Sequence, residues 1–185
     1  MKKISTLYKK DPNNLGRIID EINPENAWAL QAIATRKFDG TSSAIINGEL
    51  YKRYDAKIKP DGTYKRPIPN KAIPCQDADL KSGHHPHWVQ CERTNKADKY
   101  HFEGFDALDI KTDGTYELCG PKVQGNPENI NEHQLVPHGK EVLLLEDRSF
   151  EGLKQYLIEH DIEGIVFHHE NKMCKIRKTD FGIRR

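Results

Sequence analysis

The chain has 185 residues, long enough to bury a real core, and is expected to fold as a single domain over 1–185 rather than as two cramped ones. Its 29 lysines and arginines almost cancel its 28 aspartates and glutamates, so no global positive field draws it to a polyanion. Any such binding must use a local basic face, either Lys52 to Arg66 or the run from Lys172 to Arg185.

The opening MKKISTLYKKDPNN carries positive charge with no apolar stretch behind it, so it does not read as a secretory leader. No run is apolar enough to span a membrane, and a soluble, intracellular, cytoplasmic protein is expected. A short helix is expected around Leu15 to Ile22, followed by a strand in WALQAIATRKF that runs into the loop Lys37-Phe38-Asp39-Gly40. In SAIINGELYKRY, Asn47-Gly48 between two alternating runs is a strong short-range hairpin signal. Residues 59–98 are rich in proline and polar groups and read as a long ordered surface excursion. Strands are expected in FEGFDALDI and TYELCGPKV, with Asp113-Gly114 turning between them. After the apolar run EVLLL, Ser149 caps a helix whose Phe150, Leu153, Tyr156 and Leu157 recur at helical spacing. Two strands, EGIVFHH and MCKIRKT, finish the chain. The expected class is α+β, with mainly antiparallel sheets and flanking helices. Four scattered cysteines, Cys75, Cys91, Cys119 and Cys174, fit a reducing compartment.

One constellation stands out. Lys37, Asp39 and Gly40 immediately precede the hairpin; alone, they are a turn with an exposed charge beside it. In the last strand, however, Cys174 and Ile176 alternate with Lys175 and Arg177, so the apolar pair can face a core while both cations share the other face. Two such charges repel unless an anion lies near, and Glu163 begins the neighbouring strand.

This order, with Glu117 in YELCGPKVQGN, resembles the covalent nucleotidyltransferase superfamily of ATP-dependent RNA and DNA ligases and mRNA capping enzymes. Lys37, Asp39 and Gly40 match its first motif, Glu117 and Gly120 the third, Glu163-Gly164-Ile165-Val166 the fourth, and Lys175-Ile176-Arg177 the fifth. Ser42 stands where DNA ligases and capping enzymes usually carry arginine, which favours the RNA-ligase branch. With the sequence running only to Arg185, the oligonucleotide-binding barrel of those enzymes is not expected. GHHPHWV, ADKYHFEGF, DIEGIVFHH and KIRKTDFG look like segments of compact, single-domain RNA ligases that join 5'-phosphate to 3'-hydroxyl ends. Arg177 departs from the fifth motif's second lysine, keeping charge but not geometry.

The resemblance implies a nucleotidyltransferase (adenylylation) domain, ATP and Mg²⁺ or Mn²⁺ as cofactors, an RNA partner and a lysyl-AMP intermediate on Lys37. Lys175 would act on the α-phosphate, with Arg177 beside it. Glu117 and Glu163 would serve metal and ribose, Asp39 would orient Lys37, Gly40 would let the backbone turn beneath the nucleotide, and Val166 would lie under the base. Arg53 fits a contact to ribose or to the RNA 5'-phosphate. A nucleophilic lysine must lose its proton, so the site is expected to lower the Lys37 pKa through nearby cations. A monomer is expected. Other readings stay open: a capping guanylyltransferase or minimal DNA ligase, a non-catalytic nucleotide- or RNA-binding relative, and a zinc site among Cys75, His84, His85, His87 and Cys91. His138 against the base or a phosphate is a further option.

Overall fold

The computed structural model describes residues 4–80 and 82–185. In chain order its elements are β1 (Ser5–Thr6), β2 (Tyr8–Asp11), β3 (Asn14–Ile22), a 3-10 helix (Pro24–Gln31), β4 (Ile33–Lys37), β5 (Thr41–Ile46), β6 (Glu49–Lys57), β7 (Ile73–Pro74) and β8 (His84–Gln90). A 3-10 turn (Lys96–Asp98) then runs into α1 (Lys99–Asp106), followed by β9 (Gly114–Cys119), β10 (Gln134–Pro137), α2 (Phe150–Glu159), β11 (Gly164–His169), β12 (Lys172–Arg177) and α3 (Lys178–Phe181). The class is α+β with mainly antiparallel sheets, as expected. The chain divides into two compact units, one formed by Ile4–Asp39 with His138–Arg185, the other by Gly40–Pro137.

In the first unit a four-stranded sheet has the order β1-β12-β11-β4, antiparallel except for β1 beside β12. The sequence fixes its two faces by alternation. Ala34, Ile165, Phe167, Cys174 and Ile176 point to one side and are fully buried with Leu7, Tyr8, Leu153 and Leu157. The last two belong to α2, where the Ser149 hydroxyl accepts the Gly152 amide at 3.1 Å, the expected cap. A separate ribbon pairs β2 with β3.

The second unit is a six-stranded antiparallel sheet in the order β10-β9-β5-β6-β8-β7. One face packs Ile45, Leu50, Tyr116 and Leu118 against Phe105 of α1, with Cys91, Val123 and Leu135. The hairpin falls where Asn47-Gly48 put it, both residues at positive φ (52° and 76°). Asp113 clamps that turn: its carboxylate accepts the Asn47 and Gly48 amides at 2.7 and 2.9 Å.

Four segments depart from the sequence reading. Leu15 to Ile22 is strand, not helix: Tyr8 opposes Ile22, Lys10 opposes Ile18, and pairing outweighs weak local preference. WALQAIATRKF is strand only from Ile33; its start lies in the 3-10 helix, set by Pro24 at the first position and by Asn23, whose side chain accepts the Glu25 amide. FEGFDALDI lies largely in α1, because His101, Gly104 and Phe105 are buried at helical spacing and Asn95 caps the preceding 3-10 turn through the Ala97 amide. Residues 59–98 are not all excursion: His84 to Gln90 pair with β6 along their whole length. Pro86 lacks a donor, but its carbonyl still accepts the Cys75 amide at 2.8 Å.

Leu153 is wholly buried, whereas Leu144 is 88% exposed. Leu153→Ala is expected to destabilise the protein by about 2–5 kcal/mol, and Leu144→Ala to stay within about 0.5 kcal/mol. Urea denaturation followed by circular dichroism checks both.

Candidate functional site

The first unit's sheet carries its cations on the face opposite the core. Register places Lys37, Gly164 and Arg177 in one row across β4, β11 and β12, and Thr35, Val166 and Lys175 in the next. Lys37 and Arg177 flank the central strand, so their backbones lie about 10 Å apart, while Lys175 is one pleat repeat along the strand from Arg177. Gly164 is needed there for space. A Cβ would come to 2.2 Å from the Ile176 carbonyl oxygen and 2.9 Å from the Arg177 Cα. The two expected features, paired cations on β12 and Glu163 at the head of β11, therefore meet in one patch with Lys37.

Two carboxylates answer these charges. Glu163 pairs with the Lys37 ammonium, and its own backbone carbonyl accepts the Lys178 amide at 2.9 Å, tying the start of β11 to α3. Burial pushes the Glu163 carboxyl up, against the opposing pull of Lys37. Asp180 is fully buried and holds Arg177 twice over: Oδ2 accepts the Arg177 amide at 2.9 Å and Oδ1 accepts Nη2 at 3.1 Å. Lys10 Nζ donates to the same carboxylate at 2.7 Å. Burial raises the Asp180 pKa, but the Arg177 and Lys10 bonds win and hold it below the usual carboxylate range.

Among the described residues Lys175 has no such carboxylate partner, and its ammonium is pushed down to about 8 by burial first, then by Arg177 and Lys37. Asp39 lies within 3.8 Å of Arg185. Val166 is half-buried between Thr35 and Lys175. The Thr35 hydroxyl and His168 Nε2 are 2.8 Å apart, and burial, then His138, lower the His168 pKa. The C-terminal basic run is only partly a solvated face, since Lys178 is buried and Arg177 and Arg185 are held by Asp180 and Asp161.

The second unit gathers the remaining residues. The Gly40 amide donates to Glu117 Oε1 at 3.1 Å, and a Cβ on Gly40 would come to 2.1 Å from the Leu118 carbonyl oxygen, so the position admits only glycine. Glu117, mostly buried, opposes Ser42, and extending the β5–β6 register by one residue sets Arg53 on the other side of Ser42. Glu117, Ser42 and Arg53 thus share the face turned away from the apolar core. Ser42, where related enzymes were expected to carry arginine, has its hydroxyl oxygen buried without a hydrogen-bond partner.

The sequence is 29% identical over 136 residues to RNA ligase 1 of zebrafish, Danio rerio, across 55% of this chain and 42% of that protein. The chain is similar to an RNA ligase. The match spans less than half of that protein's length. No family model matches the chain. No helix among the described residues is long and apolar enough to cross a membrane.

Sequence reasoning missed Asp180 and Lys10. The signal for Asp180 was faint: a single acid amid the basic residues of KIRKTDFG. Lys10 lies 170 residues away in the chain and carried none.

Two outcomes follow for this patch. Competitive acylation across pH should give Lys175 a midpoint near 8, against about 10.4 for an ordinary lysine. Arg177→Gln should move that midpoint upward by removing a neighbouring charge. Asp180→Asn should cost about 1.5–3 kcal/mol at pH 7, the scale of hydrogen bonds to charged groups. The sign is that of a depressed carboxylate: its contribution is complete above the unfolded pKa of about 3.9 and is lost as pH falls through the lower folded value. The gap between wild type and Asp180→Asn should therefore narrow below about pH 4 in acid titrations of stability.

Proposed function

We propose that the protein is an ATP-dependent RNA ligase that adenylylates itself on Lys37, passes AMP to an RNA 5'-phosphate and seals that end to a 3'-hydroxyl. In this reading the two units act as one nucleotidyltransferase domain. The observation that carries it is the row Lys37–Gly164–Arg177 with Lys175 on the same sheet face and Glu163 at its edge. The similarity to RNA ligase 1 supports the substrate class.

The chemistry asks for an amine that attacks the α-phosphate while pyrophosphate leaves. Attack by Lys37 Nζ forms the P–N bond, breaks the bond to the bridging oxygen and releases the ammonium proton. Lys175 and Arg177 offset the negative charge that grows on the phosphate. Both are pre-oriented, Arg177 by Asp180 and Lys175 by its place on β12. The Lys37–Glu163 pair holds the nucleophile in place before ATP arrives.

Glu163 and Glu117 offer the hard oxygen donors that suit Mg²⁺ or Mn²⁺, and one of them can instead take the ribose hydroxyls. A divalent cation held by Glu163 would neutralise phosphate charge and offset the desolvation that pushes its carboxyl up. Val166 offers an apolar surface for the base. Arg53 suits the RNA 5'-phosphate, for which a planar guanidinium is well matched. Asp39, one residue before Gly40, remains the candidate for orienting the nucleophile.

Purified protein incubated with α-labelled ATP and Mg²⁺ should retain label through denaturation, and Lys37→Ala should not. Equal covalent labelling of Lys37→Ala would sink the assignment. Labelling by GTP, or sealing of nicked DNA in preference to RNA, would move the protein to a capping or DNA-joining activity. Binding of ATP without pyrophosphate release would make it a non-catalytic relative. Lys175→Ala should label poorly, because the α-phosphate stays beside Lys37 until AMP leaves. Arg53→Ala should keep more self-labelling than RNA sealing, since two phosphates must then be brought together against their repulsion; equal loss of both would confine Arg53 to ATP.

A further inference from the structure

Away from the cationic patch, the second unit holds three ligand-type side chains in its core. Cys91 follows β8, Asp98 ends the 3-10 turn, and His101 is the third residue of α1. All three are buried, and one ligand atom from each lies within 4.8 Å of the others. Among the described residues this is the one group of three or more such side chains that converges. The expected zinc ligands of the histidine-rich segment do not join it, apart from Cys91. His84 pairs with Asp55, His85 is 2.6 Å from the Tyr64 hydroxyl, and His87 Nδ1 donates to the His85 carbonyl.

His101 is the informative residue. It is 8% exposed, and both ring nitrogens are buried without a hydrogen-bond partner. Leaving buried polar atoms unpaired costs about 1–3 kcal/mol each, so native cores rarely tolerate it. Nothing in apolar packing requires a histidine here, and its partners in space are a thiol and a carboxylate.

We infer that Cys91, Asp98 and His101 form a buried zinc site that staples α1 to the end of β8. Sulfur, imidazole nitrogen and carboxylate oxygen are the donor types Zn²⁺ takes. Metal bonds of about 2.0–2.3 Å set tetrahedral ligand atoms about 3.5 Å apart, so the group needs a contraction of about 1 Å. Asp98 Oδ2 accepts the Glu92 amide at 3.0 Å and Oδ1 pairs with Lys52. Each oxygen has a second lone pair, so Asp98 can bind metal while keeping those partners. Binding releases the Cys91 thiol proton, and the metal charge replaces it. The zinc here is structural and independent of the ligase reading: α1 and β8 carry none of the residues assigned to ATP or RNA.

The test uses untagged full-length protein, stripped with a chelator and then titrated with Zn²⁺ against a chromophoric competitor. One equivalent should bind and raise the thermal midpoint, and Co²⁺ should give thiolate charge-transfer absorption. Cys91→Ser and His101→Ala should each weaken zinc binding by at least about a hundredfold, more than loss of an outer partner costs. Wild type that takes up no zinc, or Co²⁺ that binds without the thiolate band, overturns the site even if the variants fail to fold. So does unchanged binding in both variants. Alanine variants of His84, His85 and His87 should keep the metal; loss there would move the site to the histidine-rich segment.

Discussion

Three cations on one face of a small sheet repel one another, and burial makes their repulsion stronger. Lys37, Lys175 and Arg177 occupy that position, and much of the first unit is arranged to make it tolerable. Glu163 neutralises Lys37 at one edge and Asp180 neutralises Arg177 at the other. Gly164 leaves space between them. Lys175, in the next row along β12, has its pKa lowered first by burial and then by Arg177 and Lys37. The protein's own carboxylates thus offset only part of the repulsion on this face.

The residues singled out in the sequence fall in both units. Lys37 and Asp39 belong to one unit, while Gly40 begins the other. The first holds Lys37, Lys175, Arg177 and Glu163; in the second, Glu117, Ser42 and Arg53 share one sheet face. The segment from Lys37, at the end of β4, to Gly40 is therefore the covalent joint between the units. A substitution there acts on both, so loss of activity in that segment has to be read together with stability.

What the sequence made legible was alternation and turn chemistry. Cys174 and Ile176 against Lys175 and Arg177 gave the two faces of β12, Asn47-Gly48 gave the hairpin, and Ser149 gave the start of α2. Where local pattern was ambiguous, tertiary pairing decided. Asn14–Ile22 became a strand because β2 was available to pair with it, and His84–Gln90 did so despite Pro86. The aromatic spacing of FEGFDALDI suited either period, and burial of His101 and Phe105 together chose the helix. Within the site, Lys175, Arg177 and Glu163 were visible because neighbouring strands brought them together. Asp180's ties to Lys10 and the meeting of Cys91 with His101 were not, since one spans 170 residues and the other crosses a loop between a strand end and a helix.

The Asp113 clamp has a bearing on which insertions this fold can accept. By gripping the Asn47-Gly48 turn, it sets where β9 enters the sheet, and Gly114 falls opposite Ile45. Three residues on, the same strand delivers Glu117 opposite Ser42. A single residue added between Asp113 and Glu117 would turn that carboxylate toward the apolar side and bring Tyr116 or Leu118 out of it. One added before Asp113 would merely lengthen a connection. Length variation in relatives that keep this chemistry is thus expected upstream of the aspartate, and the short stretch behind it acts as a ruler that cannot be rescaled.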